Sequence, residues 1–199
     1  MIMTKQDYLL YLTADRIALG ETRISPRWFG DEIWKFQRLL RKAEYLKNCK
    51  SGLFWQLYYQ YVQFKRHYLG IFLGLSIPLN VFGPGLSIVH YGTVIVNSGA
   101  VVGANCRIHG CVNIGSQAGN VTQAPVIGDN VYIGPGAKLF GTIKIADGIA
   151  IGANAVVNKS FFERNITIAG MPARKISERG AGEYVIDALA AAKLQVASA

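Results

Sequence analysis

The chain has 199 residues, 51% of them hydrophobic, and a formal net charge of +9, which leaves room for one main core and an appendage. Residues 1–5 are polar with no apolar run behind them, and the run over residues 68–82 is broken by Pro78 and Asn80. Neither a secretory leader nor a membrane-spanning helix is therefore expected. Cys49, Cys106 and Cys111 are an odd set without metal-ligand spacing; they read as thiols of a cytoplasmic protein.

Residues 1–75 read as a helical N-terminal region. Thr4 is an N-cap candidate, Tyr8, Leu9, Tyr11, Leu12 and Ile17 follow at helical spacing, and Gly20 is a stop. Ser25-Pro26 is a break. A second helix is expected from about Asp31, and a third, rich in aromatics, over residues 53–68. The aromatics are expected to cover an open end of the fold that follows or to contact a second subunit. Much of the charge lies in residues 35–50, which carry Lys35, Arg38, Arg41, Lys42, Lys47 and Lys50. Such a run reads first as a solvated helix face, and as a polyanion site second.

Residues 125–158 repeat every six. Ile127, Ile133, Leu139, Ile145, Ile151 and Val157 share one hexad position; Pro125, Val131, Ala137, Ile143, Ile149 and Ala155 stand two residues before. Alternation makes both sets inward-facing. The corners between them read Asp129-Asn130, Pro135-Gly136, Asp147-Gly148 and Ala153-Asn154, which is turn chemistry. Four-residue strands joined by two-residue corners predict a parallel β-helix of three hexads per coil. Val96, Val102, Ile108 and Ile114 carry the pattern back to Leu86 and Ile88, so the β-helix is placed at residues 76–176. A C-terminal helix and tail follow at 177–199, the helix around residues 184–194.

The repeat breaks twice. Between Ile88 and Val96 the spacing is eight, and the corner His90-Tyr91-Gly92-Thr93 holds four residues. After Gly115, residues 116–124 form a nine-residue loop. A longer loop on a rigid scaffold is a ligand-site candidate. Counting coils puts His109 beside Val89, roughly 4.8 Å along the axis. His90 and His109 thus share the corner that later carries Pro135 and Ala153. The third histidine, His67, falls in the helical region, so a three-histidine metal site is not expected. What the residues offer is a general base: a neutral imidazole can take a proton from a hydroxyl attacking an activated acyl group. Catalytic candidates are His90 and His109.

With the segments GPGLSIVHYGTVIV, NIG, APVIGDNVYIGPGAKLFG, IAIGANAVV and AGMPAR in order, the chain resembles a hexapeptide-repeat acetyltransferase, most of all the serine acetyltransferase branch. The resemblance covers about residues 75–176. It implies a left-handed β-helix, a homotrimer with active sites between subunits, and acetyl-CoA as donor, with no metal. His90 falls on the family's catalytic histidine, and Pro135 and Ala153 on its pantetheine groove. Asn158 and Lys159 fall where the family contacts the far end of the cofactor, and Arg174 where it meets phosphate. Three positions depart from the branch. Val89 and Leu75 stand where it has Asp, and Gln123-Ala124 where it has an Arg and a second His.

The function expected is therefore transfer of acetyl from acetyl-CoA to a hydroxyl, of L-serine or of a sugar or polysaccharide. The residues nearest His90 in sequence are neutral, which leans toward a sugar; against this, a neighbouring subunit or Asp15, Asp31 or Glu32 of the helical region could supply a carboxylate. The alternative is a non-catalytic β-helix scaffold or a polyanion-binding protein. Nucleic acid is not expected as a partner; a membrane-surface contact is open to the basic run but not expected.

Overall fold

The computed structural model describes residues 1–118, 120 and 123–197. The hexad pattern builds a three-sided prism of parallel strands. One face pairs Ser87–Ile88, Arg107–Ile108, Tyr132–Ile133, Ala150–Ile151 and Thr167–Ala169 in that order. The second pairs Leu75–Ser76, Val94–Val96, Val112–Gly115, Lys138–Phe140 and Val156–Val157. The third pairs Val101–Val102, Val126–Ile127 and Lys144–Ile145. Ile88, Ile108, Ile133 and Ile151 lie in one register, so the inward row is a ladder of isoleucines. Every inward hexad residue from Ile88 to Val157 is buried. Full burial of such side chains is worth about 1.5–3 kcal/mol each. Cys106 sits in that core, where burial pushes its thiol up to about 12. The corners turn as their residues suggest: Asn105, Asn130, Gly136, Gly148 and Asn154 adopt the left-handed region.

A prism of this kind leaves unpaired backbone groups at each end. At the C-terminal end, Arg174–Ser177 folds back antiparallel on Thr167–Ala169. At the N-terminal end the helices supply the partners. They are α1 (Lys5–Ala18), α2 (Glu32–Cys49) and α3 (Leu53–Leu73). Thr4 caps α1 with a reciprocal box to Asp7. From α1, Asp15 Oδ1 accepts from the N–H groups of Gly85 and Leu86 at 2.9 Å each. From α2, Gln37 Nε2 donates to the Leu86 carbonyl at 2.7 Å and Gln37 Oε1 accepts from Ile88 N–H at 3.2 Å. Arg41 donates to the carbonyls of Phe82 and Gly83, and Glu44 Oε1 accepts from Asn80 N–H. Polar side chains thus take the place of a further strand, while Phe36 and Leu40 complete the core beneath them.

Arg41 was expected in a solvated basic run and is instead fully buried. Its Nε meets Asp15 at 2.8 Å and its Nη1 meets Glu44 at 3.0 Å. Burial opposes its charge, but Asp15 and Glu44 outweigh that and hold the guanidinium above the ordinary arginine range. α2, rather than the aromatics of α3, covers the open end. α3 also runs beyond residue 68 to Leu73, where Gly74 ends it in the left-handed region. The Gly74 carbonyl accepts from Val94 N–H at 3.0 Å, which seats the end of α3 against the four-residue corner.

The C-terminal helix α4 (Ala188–Ala197) starts later than expected, because Asp187 Oδ1 accepts from Ala190 N–H and so sets its first turn. The segment before it returns along the outside of the prism. Asn105 ties it down, donating to Asp187 and accepting from Leu189 N–H. α4 then reaches α1, where Arg16 donates to Gln195.

Candidate functional site

The corner after Ser87–Ile88 is built by sequence and held by helices. Val89 N–H donates to the Ile108 carbonyl, fixing the strand up to the residue before His90. Gln37 grips the same strand from behind. Tyr91 Oη donates to Glu32 Oε2 at 3.2 Å, and Gly92 takes a positive φ that lets the widened corner close. His90 is exposed at its tip. His109 lies one coil on, with its ring 5.6 Å from the ring of His90, centroid to centroid. Its Nε2 is buried and has no hydrogen-bond partner among the described residues. Burial, then the positive charge of Arg107 and the proximity of His90, lower its pKa below the ordinary histidine value, so it is neutral near pH 7. Among the described residues no carboxylate hydrogen-bonds either imidazole.

Two cavities flank the pair. One, of about 360 Å³, is lined by Val89, His90 and Tyr91 together with Glu21, Arg27 and Asp31 from the segment between α1 and α2. The neutral lining suggested by the neighbouring sequence is therefore corrected in favour of the alternative: charged groups of the helical region, Asp31 among them, face His90. They are already engaged. Asp31 accepts from Arg23 and from Arg27, side chain and backbone, and these bonds hold its carboxyl well below the usual range. Glu21 accepts from Arg23 at 2.6 Å. The second cavity, of about 490 Å³, is lined by Arg107, His109, Tyr132, Glu183 and Tyr184 among others. His109, Tyr132 and Tyr184 form a run of ring contacts, each 5.1 Å between centroids. Tyr132 is thus partly covered by this chain's own tail rather than standing bare on an outer face. No sequence signal pointed to Tyr184, which reaches the site only because the tail doubles back.

The register settles where the other candidates lie. Two residues beyond the isoleucine ladder come His90, Gly110, Pro135 and Ala153, so Pro135 and Ala153 share the His90 corner. One residue beyond it come Val89, His109, Gly134, Gly152 and Ala169, the last three small. Arg174 pairs with Ala169 at the end of that row and is exposed with no ion pair among the described residues. Lys175 beside it is held by Glu163 and Glu178. Asn158 and Lys159 follow Val156–Val157 across the second face, on the corner of the 116–124 loop. Within one chain they are not brought to His90. Gly119, Val121 and Thr122 of that loop lie outside the described residues. No group of three or more His, Cys, Asp or Glu among the described residues is placed to hold a metal ion.

No family model matches the chain. Individual proteins do. Serine acetyltransferase of Buchnera aphidicola subsp. Schizaphis graminum is 27% identical over 145 residues, 67% of this chain and 55% of that one. Serine acetyltransferase of Mycobacterium tuberculosis is 37% identical over 110 residues, 54% and 48% of the two chains. The chain spans about half the length of the curated relatives it matches. Among solved structures, serine acetyltransferase of Brucella abortus in complex with coenzyme A superposes with a TM-score of 0.65 at 28% identity, covering 88% of this chain and 70% of that one. Soybean serine acetyltransferase complexed with serine gives 0.66 at 27% identity, covering 85% and 70%. These neighbours are left-handed β-helices, and the chain shares their fold. In sequence and in fold the chain is similar to the serine acetyltransferases, which are hexapeptide-repeat proteins.

Proposed function

We propose that the protein transfers acetyl from acetyl-CoA to a hydroxyl, with His90 as general base. The carrying observation is the corner itself: an exposed imidazole on a widened turn, beside a neutral second imidazole, opening onto a cavity of about 360 Å³. His90 takes the acceptor's hydroxyl proton as the oxygen attacks the thioester carbonyl. The carbon–sulfur bond then breaks, and the thiolate of CoA leaves with that proton. Backbone N–H groups of the glycine-containing corner are the donors for the tetrahedral oxyanion. His109 is neutral and in ring contact with His90, which suits it to hold an acceptor or the base itself in place.

The cofactor would lie along the row of small residues past Pro135 and Ala153, with Arg174 at the phosphate end. Asn158 and Lys159 complete such a site only when supplied by a neighbouring subunit, which supports a homotrimer. Of the two acceptor classes, the paired state of Asp31 and Glu21 favours a sugar hydroxyl over L-serine. An ammonium would have to displace a guanidinium from Asp31, and leaving it unpaired in the cleft is costly. Release of CoA thiol with L-serine and with a panel of nucleotide sugars and oligosaccharides tests this. Turnover of free serine above about 10⁴ M⁻¹s⁻¹ in kcat/KM, with none on sugars, would overturn the acceptor assignment. No thiol release with any acceptor, together with no CoA binding, would replace the enzyme reading by that of a scaffold.

A further inference from the structure

The helical region carries a surface that the acetyl-transfer site does not use. Along α3, Phe54, Leu57, Tyr61, Phe64, Tyr68 and Ile71 recur at alternating steps of three and four, and they are 56–71% exposed. They form one apolar stripe covering about 100° of the helix circumference. The opposite side of α3, with Val62 and Leu73, packs on the body of the protein. A single exposed apolar side chain is ordinary; six in register on one helix, four of them aromatic, make a patch that monomeric proteins rarely leave bare.

Beside the stripe runs a cationic groove of about 310 Å³. Lys35, Arg38 and Lys42 line it from one side of α2, Lys65 from α3, and Tyr8, Pro26, Leu39 and Leu69 complete it. Lys35 is paired with Glu32 at 3.5 Å, whereas Arg38, Lys42 and Lys65 make no ion pair among the described residues. Groove and stripe are continuous: Lys65 Nζ lies 5.6 Å from the ring centroid of Tyr61, and Lys42 Nζ lies 5.3 Å from that of Tyr58. The segment that contributes Pro26 also carries Trp28 and Phe29, which are 87% and 84% exposed. From residue 45 to residue 128 the sequence contains no Asp or Glu, so nothing on α3 offsets these cations.

We infer that this face docks on an anionic lipid bilayer, with α3 lying in the interface plane. Aromatic and aliphatic side chains enter the headgroup boundary, and the lysines and arginine meet lipid phosphates. The two signals are complementary, since neither an apolar stripe nor a basic patch alone gives stable anchoring. Charge decides against the other occupants. A second α3 packed on this one would bring together flanks that hold Gln56, Gln60, Lys65 and His67, with no acid to oppose the cations. Nucleic acid would satisfy the groove but leave the aliphatic part of the stripe in water. No helix among the described residues is long and apolar enough to cross a membrane, so the contact is peripheral. The inference does not depend on the chemistry assigned to His90.

The test is flotation of the full chain with vesicles of phosphatidylcholine, alone or with about one-third phosphatidylglycerol, over a salt series. Binding is expected only to the anionic vesicles and is expected to fall as salt rises. Each cation near the surface contributes about five-fold, so replacing Arg38, Lys42 and Lys65 by Gln should weaken binding about a hundred-fold. Leu57→Gln with Phe64→Gln, both exposed and so tolerated by the fold, should weaken it at least about ten-fold. No binding to anionic vesicles, or equal binding to uncharged ones, overturns the inference. So does a Leu57→Gln and Phe64→Gln variant that lowers the particle mass in light scattering while leaving vesicle binding intact; that result would assign the stripe to a second copy. Tighter binding to a duplex oligonucleotide than to vesicles, unchanged in the same variant, would assign the groove to nucleic acid.

Discussion

The first coil of the prism treats polar groups in two opposite ways within a few residues. Over residues 80–88 the exposed backbone edge meets Asp15, Gln37, Arg41 and Glu44, and all four of these side chains are bonded. At His90, immediately after, and at His109, one coil on, no carboxylate among the described residues steadies either ring, and the buried His109 Nε2 has no partner among them. Saturated polar networks hold one arrangement rigidly, while an unsatisfied polar group in a cleft is a place where a ligand gains by binding. The helical end holds the coil still, and the corner beyond it is left with unmet bonding capacity.

The sharpest way to break that contrast is at the corner. His90→Asn keeps polarity and similar bulk but cannot accept the proton. Turnover should fall about 10²–10⁴-fold while CoA binding, read by calorimetry, stays within error. Near-full activity in this variant would move the base to His109.

At the saturated end the expected effect is on stability. Arg41→Met leaves two buried carboxylates with their main counter-charge gone, which costs about 3–5 kcal/mol in urea unfolding. Adding Asp15→Asn and Glu44→Gln should recover part of the loss, because the uncompensated charges go with them. If Arg41→Met unfolded at the wild-type denaturant concentration, the cap would be decoration rather than a fastening for the strand that carries His90.

How much of this could be read from sequence follows from the same contrast. The hexads Val131-Ile133, Ala137-Leu139 and Ile149-Ile151 announce their faces because a solenoid core is local: each residue packs on its copies in neighbouring coils. That local rule also placed His109 beside Val89 and His90 on the corner of Pro135 and Ala153. It had nothing to say about Arg41, which looks in sequence like one more cation in a basic run. What buries it is Asp15, far away in the chain, and the carbonyls of a coil later still. Arg27 beside His90, and Tyr184 on Tyr132, were hidden for the same reason, while Asp31 could be named only as one of several acids of the helical region. The helix–prism and tail–prism contacts are set by tertiary packing with no period to reveal them.

At the far end of the small-residue row, Arg174 and Lys175 stand side by side in opposite states, one unpaired and one held by two glutamates. Arg174→Ala should raise KM for acetyl-CoA about ten-fold with little change in kcat, at the lower end for a charge-assisted hydrogen bond because the site is exposed. Lys175→Ala should move KM by less than about two-fold, since its charge is already satisfied. An unchanged KM in the Arg174 variant at several salt concentrations would remove it from the cofactor site.

The smallest effect tests whether the corner is under-satisfied in the way described. His109 is surrounded by Arg107, His90 and Tyr132, with Glu183 and Tyr184 across the cavity. Burial comes first in lowering its pKa, and Arg107 and His90 add to it. The folded protein therefore binds that proton less readily than the unfolded chain does. Its contribution to stability is complete above the unfolded histidine value, near 6.5, and declines as pH falls from there toward the lowered folded value. Thermal midpoints measured from pH 7.5 down to 5 should drop on the acid side in the wild type. The drop should be shallower in His109→Gln, which keeps a hydrogen-bonding side chain but cannot take the proton. Parallel curves for the two proteins would mean that the acid sensitivity lies elsewhere and that His109 is not held neutral by its surroundings. A flatter curve in the variant, with the same midpoint at pH 7.5, would place the penalty at this imidazole.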